Sequence, residues 1–325
     1  MTKNNSNQPQ QPPVAPMRPA VLLFGPTASG KTALSLPLAN MLGAEIVNAD
    51  SRQVYCHMPI LTAAPKANEY AQAPHHLFEF LQPDASFSVT NWLQMAVATA
   101  NDIWQRGKIP LFVGGTGFYM DVLQHGLSPL PATDADVLAA LKAEQAQQGT
   151  EALYQQLKEV DPLLAAQLKP GDSQRVMRGL AVWRQTGQQL SELQLHEREG
   201  GLQAKFVRLA LCPPRDVLYQ RIHDRFDAML DDGMMEEVKL ILGSKWPLTL
   251  PAFKSIGIPE YARWQAGELT LPQAHTLVQQ HMRNYAKRQE TWLKHQYNSQ
   301  MTLTHADQLE KAAAFLGNEL GENIA

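Results

Sequence analysis

Apolar positions along the chain recur with two periods. Strand-like runs fall at Ala20–Phe24, Glu45–Asn48 and Ile109–Val113, and the stretches between them space their apolar residues as helices do. That alternation predicts an α/β fold with a parallel sheet. The first helix would carry Leu34, Leu38 and Leu42 on one face and stop near Gly43, with Pro37 predicting a local kink. A second, from about Val89 to Arg106, brings Leu93, Ala96 and Ile103 together and stops at Gly107. A fourth strand is expected at Phe206–Leu211, followed by a helix from Asp216 that repeats Leu218, Ile222, Phe226 and Met229.

Between Gly126 and Gly201 the pattern changes to a long Ala-, Gln- and Leu-rich stretch with helical spacing and no convincing strand. This predicts a helical insertion over 126–201 in a core made of 19–125 and 202–325. From Pro213 onward the pattern is almost wholly helical, broken at WPLTLPAF and IGIPE. Residues 1–18, rich in Asn, Gln and Pro, have almost nothing to bury and predict a disordered tail.

Composition narrows the class. The tail lacks the apolar stretch of a signal peptide, and no run approaches the ~20 apolar residues of a membrane helix, so a cytoplasmic protein is expected. Cys56 and Cys212 stand alone, which argues against a disulfide framework or a structural zinc site. The His75–His76 doublet has no third ligand and reads as structural. With a net charge of −3, any nucleic-acid contact must come from a local patch. No exposed heptad or apolar stripe is evident, so a monomer is expected.

The strongest chemical signal is GPTASGKT, Gly25, Pro26, Thr27, Ala28, Ser29, Gly30, Lys31 and Thr32, directly after the first strand. It fits the phosphate-loop pattern at every fixed position: backbone N–H groups turn around a phosphate, Lys31 adds a point charge and the Thr32 hydroxyl suits magnesium. Next, NADSRQVY follows the second strand, and Asp50 should face the same crevice as the loop. Its carboxylate could accept a proton from an attacking hydroxyl or amine, or it could cap a helix starting there. LFVGGTGFY ends the third strand in glycines that either let backbone approach a ligand or form a tight turn, with Thr116 at the crevice. Arg221 and Arg225, four apart, share a helix face that either reaches a phosphate or is solvated. Near the C-terminus Arg283, Lys287, Arg288 and Lys294 stand against the single acid Glu290, interleaved with Tyr285 and Trp292. That is a pattern of phosphate contact in nucleic acids or of a solvated face.

Taken together, GPTASGKT, NADSRQVY, VGGTGFY, VDPLLAAQLKPGDSQRVMRGLAV, RFDAMLDDGMMEEV and YAKRQETW resemble, in order and approximate spacing, the tRNA dimethylallyltransferases, over about Pro19–Tyr297. The resemblance implies a P-loop NTPase-like core and transfer of a dimethylallyl group from dimethylallyl diphosphate to N6 of adenosine 37 in tRNA, beside the anticodon, with release of diphosphate. It implies Asp50 as general base, Thr116 near the reacting carbon and Arg225 on the diphosphate, with the phosphate loop as its cradle and Mg2+ near Thr32 and Thr116. It further implies tRNA contacts at Asp50, Ser51, Arg52, Gln53, Thr116, Gln174, Arg175, Val176, Met177, Arg178, Lys287, Arg288 and Lys294, the insertion gripping the anticodon stem. The chain departs from the family pattern at Ala64, Leu138, Ile258, Pro259 and Met282, away from the presumed base and cradle. On the loop and the acid alone, a small-molecule kinase is the rival; nothing in the sequence resembles a dedicated adenine pocket.

Overall fold

The computed structural model describes residues 17–321. The tail expected over 1–18 lies, up to residue 16, outside the described residues. Six strands, β1 (Pro19–Phe24), β2 (Ala44–Asn48), β3 (His75–His76), β4 (Ile109–Gly114), β5 (Lys205–Leu211) and β6 (Met301–Leu303), form one sheet in the order β3-β2-β4-β1-β5-β6. Every pairing is parallel. The principal helices are α1 (Lys31–Leu42), α2 (Val89–Gln105), α3 (Gly117–His125), α4 (Ala135–Val160), α5 (Pro162–Gln167) and α6 (Ser173–Thr186). They continue with α7 (Arg215–Asp231), α8 (Met234–Leu242), α9 (Ile258–Gln265), α10 (Leu271–Gln296) and α11 (Leu309–Leu320).

The central strands are apolar without alternation because both faces of the sheet are covered. Ala20 to Phe24 are all fully buried. On one side Leu34 and Leu38 of α1 and Ala312 and Leu316 of α11 share a core with Val21, Ile46 and Leu111. Helix α1 runs through Pro37 uninterrupted. Leu93, Ala96 and Ile103 of α2 are buried, as are Leu218, Ile222, Phe226 and Met229 of α7.

Two strands escape the hydrophobic pattern. β3 and β6 are two and three residues long, too short for any periodicity. The edge strand β3 explains the histidine doublet: Glu45, buried in β2, accepts hydrogen bonds from His76 Nε2 and Arg106 Nη2, each at 2.7 Å. A buried carboxylate requires such partners, and they hold its pKa below the usual range against the opposing effect of burial.

The chain clusters into two compact units. Residues 17–87, Met95–Met120 and 203–321 make the first, which contains the sheet. The second is Asp121–Leu202 with Ser88–Gln94, a stretch that the sequence pattern assigns to the core. In the second unit α4, broken at Gly149, packs with α5 and α6 around Leu141, Leu153, Leu157, Leu164 and Leu180. Asp161, fully buried, starts α5: its Oδ1 accepts the Leu164 N–H at 3.0 Å and the Ser191 hydroxyl at 2.6 Å, and its Oδ2 accepts the Ser191 N–H at 2.9 Å. The VDP stretch is therefore a buried cap. Among the described residues no helix is long and apolar enough to cross a membrane.

Candidate active site

The loop between β1 and α1 wraps where its sequence demands. Gly30 has φ 98°, a left-handed conformation that glycine adopts without penalty, and Ser29 N–H donates to Pro26 O at 3.2 Å, so the chain turns sharply into α1. Ala28, at φ 61°, also sits in the left-handed region, which its residue type does not announce. Lys31 folds over the loop, donating to Gly25 O at 2.8 Å and Pro26 O at 2.9 Å. The Ser29 hydroxyl is buried with no hydrogen-bond partner among the described residues.

Four further segments converge on this loop. From α7, Arg221 donates to Ser29 O at 2.9 Å and Arg225 to the Thr27 hydroxyl at 3.4 Å, so the solvated-face reading of this arginine pair does not hold. After β2, Asn48 pins the acidic turn: its Oδ1 accepts the Asp50 N–H at 2.7 Å and its Nδ2 donates to Asp50 O at 3.1 Å. Asp50 caps no helix, since bends and turns follow it. One carboxylate oxygen instead accepts the Arg52 N–H at 2.8 Å. After β4, Thr116 Oγ1 accepts the Ser51 N–H at 3.0 Å and shares a hydrogen bond with Tyr285. From α10, Gln289 accepts the Thr27 N–H at 2.8 Å and donates to Gly115 O at 2.7 Å.

These groups surround connected chemistry. A cavity of about 940 Å³ is lined by Thr27, Ser29, Lys31, Thr32, Asp50 and Arg225, among others. A smaller one of about 190 Å³ is lined by Thr27, Asp50, Arg225, Tyr285 and Arg288 together with Met229, Met234 and Met282. Asp50 and the loop thus face one crevice at the carboxyl ends of the strands. Burial lowers the Lys31 pKa to about 8, opposed by the Asp50 carboxylate and reinforced by Arg225. Burial likewise lowers Arg225, and Asp50 again opposes it, while burial next to Asp50 raises the Tyr285 phenol. In the smaller cavity Asp50 is the one carboxylate against Arg52, Arg225, Lys254 and Arg288, so the net charge of that lining favours an anion.

Other expected residues fall differently. The glycines after β4 admit protein groups: a β-carbon at Gly115 would lie 2.2 Å from Gln289 Nε2, and one at Gly117 would lie 2.2 Å from the Trp292 ring. Trp292, whose ring centre lies 4.8 Å from that of Phe24 at a tilt of 48°, is therefore a packing residue and not part of an exposed basic stripe. Lys287, Arg288 and Lys294 are exposed on α10, with Arg288 lying 5.6 Å over Tyr285. Gln53 donates to Thr62 O at 3.1 Å and Ala63 O at 2.6 Å, and Arg52 to Pro251 O at 2.7 Å. On α6, Gln174 and Arg175 are exposed, but Val176 is fully buried in the core of the second unit and Met177 packs against that core. The Val176 side chain is thus no surface contact, a correction imposed by the helix phase. Arg178 donates to Pro131 O at 2.8 Å and to the Thr133 hydroxyl, so it braces its own unit. Among the departures from the family pattern, Ile258 and Met282 are buried, and Pro259 occupies the first turn of α9, where its missing N–H costs nothing.

Asn48, Tyr285 and Gln289 do not stand out as site residues from sequence alone. Asn48 opens NADSRQVY, and Tyr285, Gln289 and Trp292 follow helical spacing between the basic residues of YAKRQETW. An uncharged row inside a basic helix is the signal that marks the buried face.

Fold and site together define a phosphate-loop α/β protein that sets a carboxylate across from its anion cradle. A family model described as IPP transferase matches residues 53–296, and one described as isopentenyl transferase matches 19–75. The chain belongs to the IPP transferase family. A tRNA dimethylallyltransferase of Phenylobacterium zucineum is 43% identical over 94% of this chain and 99% of its own length. The solved tRNA isopentenylpyrophosphate transferase of Bacillus halodurans is 32% identical, with a TM-score of 0.68 over 94% of this chain and 97% of that one. A eukaryotic dimethylallyltransferase solved acting on tRNA is 25% identical, with a TM-score of 0.78 over 94% of this chain and 80% of that one.

Proposed function

We propose that the chain transfers the dimethylallyl group of dimethylallyl diphosphate to N6 of adenosine 37 in tRNA. The observation that carries this reading is the Asp50 carboxylate lining the same cavity as the phosphate loop and Arg225. The N6 nitrogen attacks the allylic carbon and forms the C–N bond while the C–O bond to diphosphate breaks and its electron pair leaves with the diphosphate. The N6 proton passes to Asp50. Negative charge grows on the diphosphate oxygens as the bond breaks, so Lys31, Arg225 and the loop N–H groups lower the barrier. Thr116 holds the Asp50 turn through Ser51, which supports its assignment beside the reacting carbon.

Magnesium fits the donor set in a limited way. Among the described residues no three His, Cys, Asp or Glu side chains cluster to hold a metal by themselves. Mg2+ usually binds through one or two protein oxygens plus substrate phosphates, and the Thr32 hydroxyl on the cavity wall supplies such an oxygen. Bound there, the ion would neutralise charge on the diphosphate. Thr116, already engaged by Ser51 and Tyr285, is left out of the metal assignment.

The acceptor base must leave the stack of the anticodon loop to reach this cavity. The exposed Lys287, Arg288 and Lys294 and, in the second unit, Gln174 and Arg175 are proposed as RNA contacts, with the second unit on the anticodon stem. A cytoplasmic monomer is the proposed working form.

The test is incubation with unmodified tRNA, magnesium and dimethylallyl diphosphate without ATP, followed by digestion and nucleoside mass measurement. A dimethylallyl gain on adenosine is expected. ATP hydrolysis on a small acceptor, with no such gain, would favour a kinase. Lys31 adds a pH dependence: its ammonium, present below about pH 8 in the free protein, is lost above that point. With donor limiting, kcat/KM should fall as pH rises through about 8, by up to about tenfold per unit. A flat profile to about pH 9.5 would mean that Lys31 keeps its proton there and that burial does not lower it.

A further inference from the structure

We infer that Gln289 is a positioning residue that sets the phosphate loop for its diphosphate. The inference rests on the function proposed above and names a residue that acts through the loop without touching substrate. Gln289 is 5% exposed in the middle of α10. Its single planar amide joins two turns that never meet in sequence: Oε1 accepts from Thr27 N–H after β1, and Nε2 donates to Gly115 O after β4. Both bonds are short, 2.8 and 2.7 Å, and the room for them exists only because residue 115 has no β-carbon.

The consequence reaches the anion cradle in one step. The peptide that Gln289 fixes belongs to Thr27, and the Thr27 hydroxyl is the group that meets Arg225. Without the carboxamide, the Thr27 N–H loses its acceptor and the loop gains freedom at the residue that registers Arg225. A buried donor left unpaired drives such a rearrangement. The same helix turns its other residues to related tasks. Tyr285 bonds Thr116 and Trp292 fills the space over Gly117, so the inner face of α10 holds the turn after β4 while Lys287 and Lys294 are exposed.

The test measures equilibrium binding of inorganic diphosphate with magnesium, and separately of unmodified tRNA, to the full chain carrying Gln289→Met or Gly115→Ala, with thermal unfolding as a check of the fold. Gln289→Met keeps the length and removes both hydrogen bonds. Gly115→Ala pushes the carboxamide aside. Each is expected to weaken diphosphate by about tenfold and to leave tRNA within about twofold. The double variant should be no weaker than the weaker single one, because both break the same contact. Diphosphate binding equal to wild type in the variants overturns the inference, and so does equal loss of diphosphate and tRNA, or failure of both variants to fold, since each marks a general structural role. If the wild-type chain itself fails to bind diphosphate, the proposed function falls and this inference falls with it. Wild-type binding with unaffected variants removes the inference alone.

Discussion

Asp50→Ala is expected to lower the transfer rate by about 10²–10⁴-fold while tRNA binding stays within about twofold. Asn48 holds the Asp50 backbone from both sides, and Thr116 holds the next residue, so the turn keeps its shape when the carboxylate is removed. What disappears is the proton acceptor facing the anion cradle, together with the one carboxylate hydrogen bond to the Arg52 N–H. Single-turnover transfer with saturating substrates measures the chemical step, and filter binding measures the RNA. Unchanged turnover would remove Asp50 as base. A loss in RNA affinity that matches the loss in rate would make it a binding residue instead. A partial effect in the cation set is also expected: Lys31 and Arg225 lose the carboxylate that opposes their desolvation, so donor capture should become more sensitive to alkaline pH.

Arg225→Ala should reduce kcat by about 10²–10³-fold, the loss typical of removing one donor aimed at charge that develops in the transition state. Arg225 reaches the loop at Thr27, lies beside Asp50 and lines both cavities. Its burial means that the guanidinium is already stripped of water and needs little reorganisation when the diphosphate oxygens gain charge. Arg225→Lys should recover only part of the rate, since an ammonium lacks the planar fork. The comparison of kcat with KM for dimethylallyl diphosphate decides the role. A raised KM with kcat unchanged would mean that Arg225 grips the ground state and transition state equally.

Much of this architecture is legible in the order of the residues. β1, β2, β4 and β5 fall within two residues of their expected bounds: β1 and β4, buried on both faces, are written as nearly unbroken apolar runs, and β2 and β5 keep enough apolar residues around Glu45, Asn48 and Arg208 to show the same signal. The glycines of GPTASGKT and its lysine mark the anion cradle, since a phosphate loop needs those residue types at that spacing. The arginine pair on α7 is visible as a shared face, although its partners are not. β3 and β6 escape because two or three residues carry no period. Val176 is misplaced by the motif because a motif names neighbours in sequence, whereas the helix turns the residue between them inward.

The sequence by itself therefore determined the parallel α/β class, the phosphate-loop pattern after the first strand and the acid that follows the second strand. These depend on local spacing, and local spacing is what a chain displays. Only the tertiary structure decided that Asp50 and Arg225 share a cavity, that the glycines after β4 serve Gln289 and Trp292, and that Val176 lies inside. Those outcomes depend on contacts between residues far apart along the chain, such as the 262 positions separating Thr27 from Gln289. Contacts of that kind are set by how helices pack on the sheet, which no single stretch of sequence specifies.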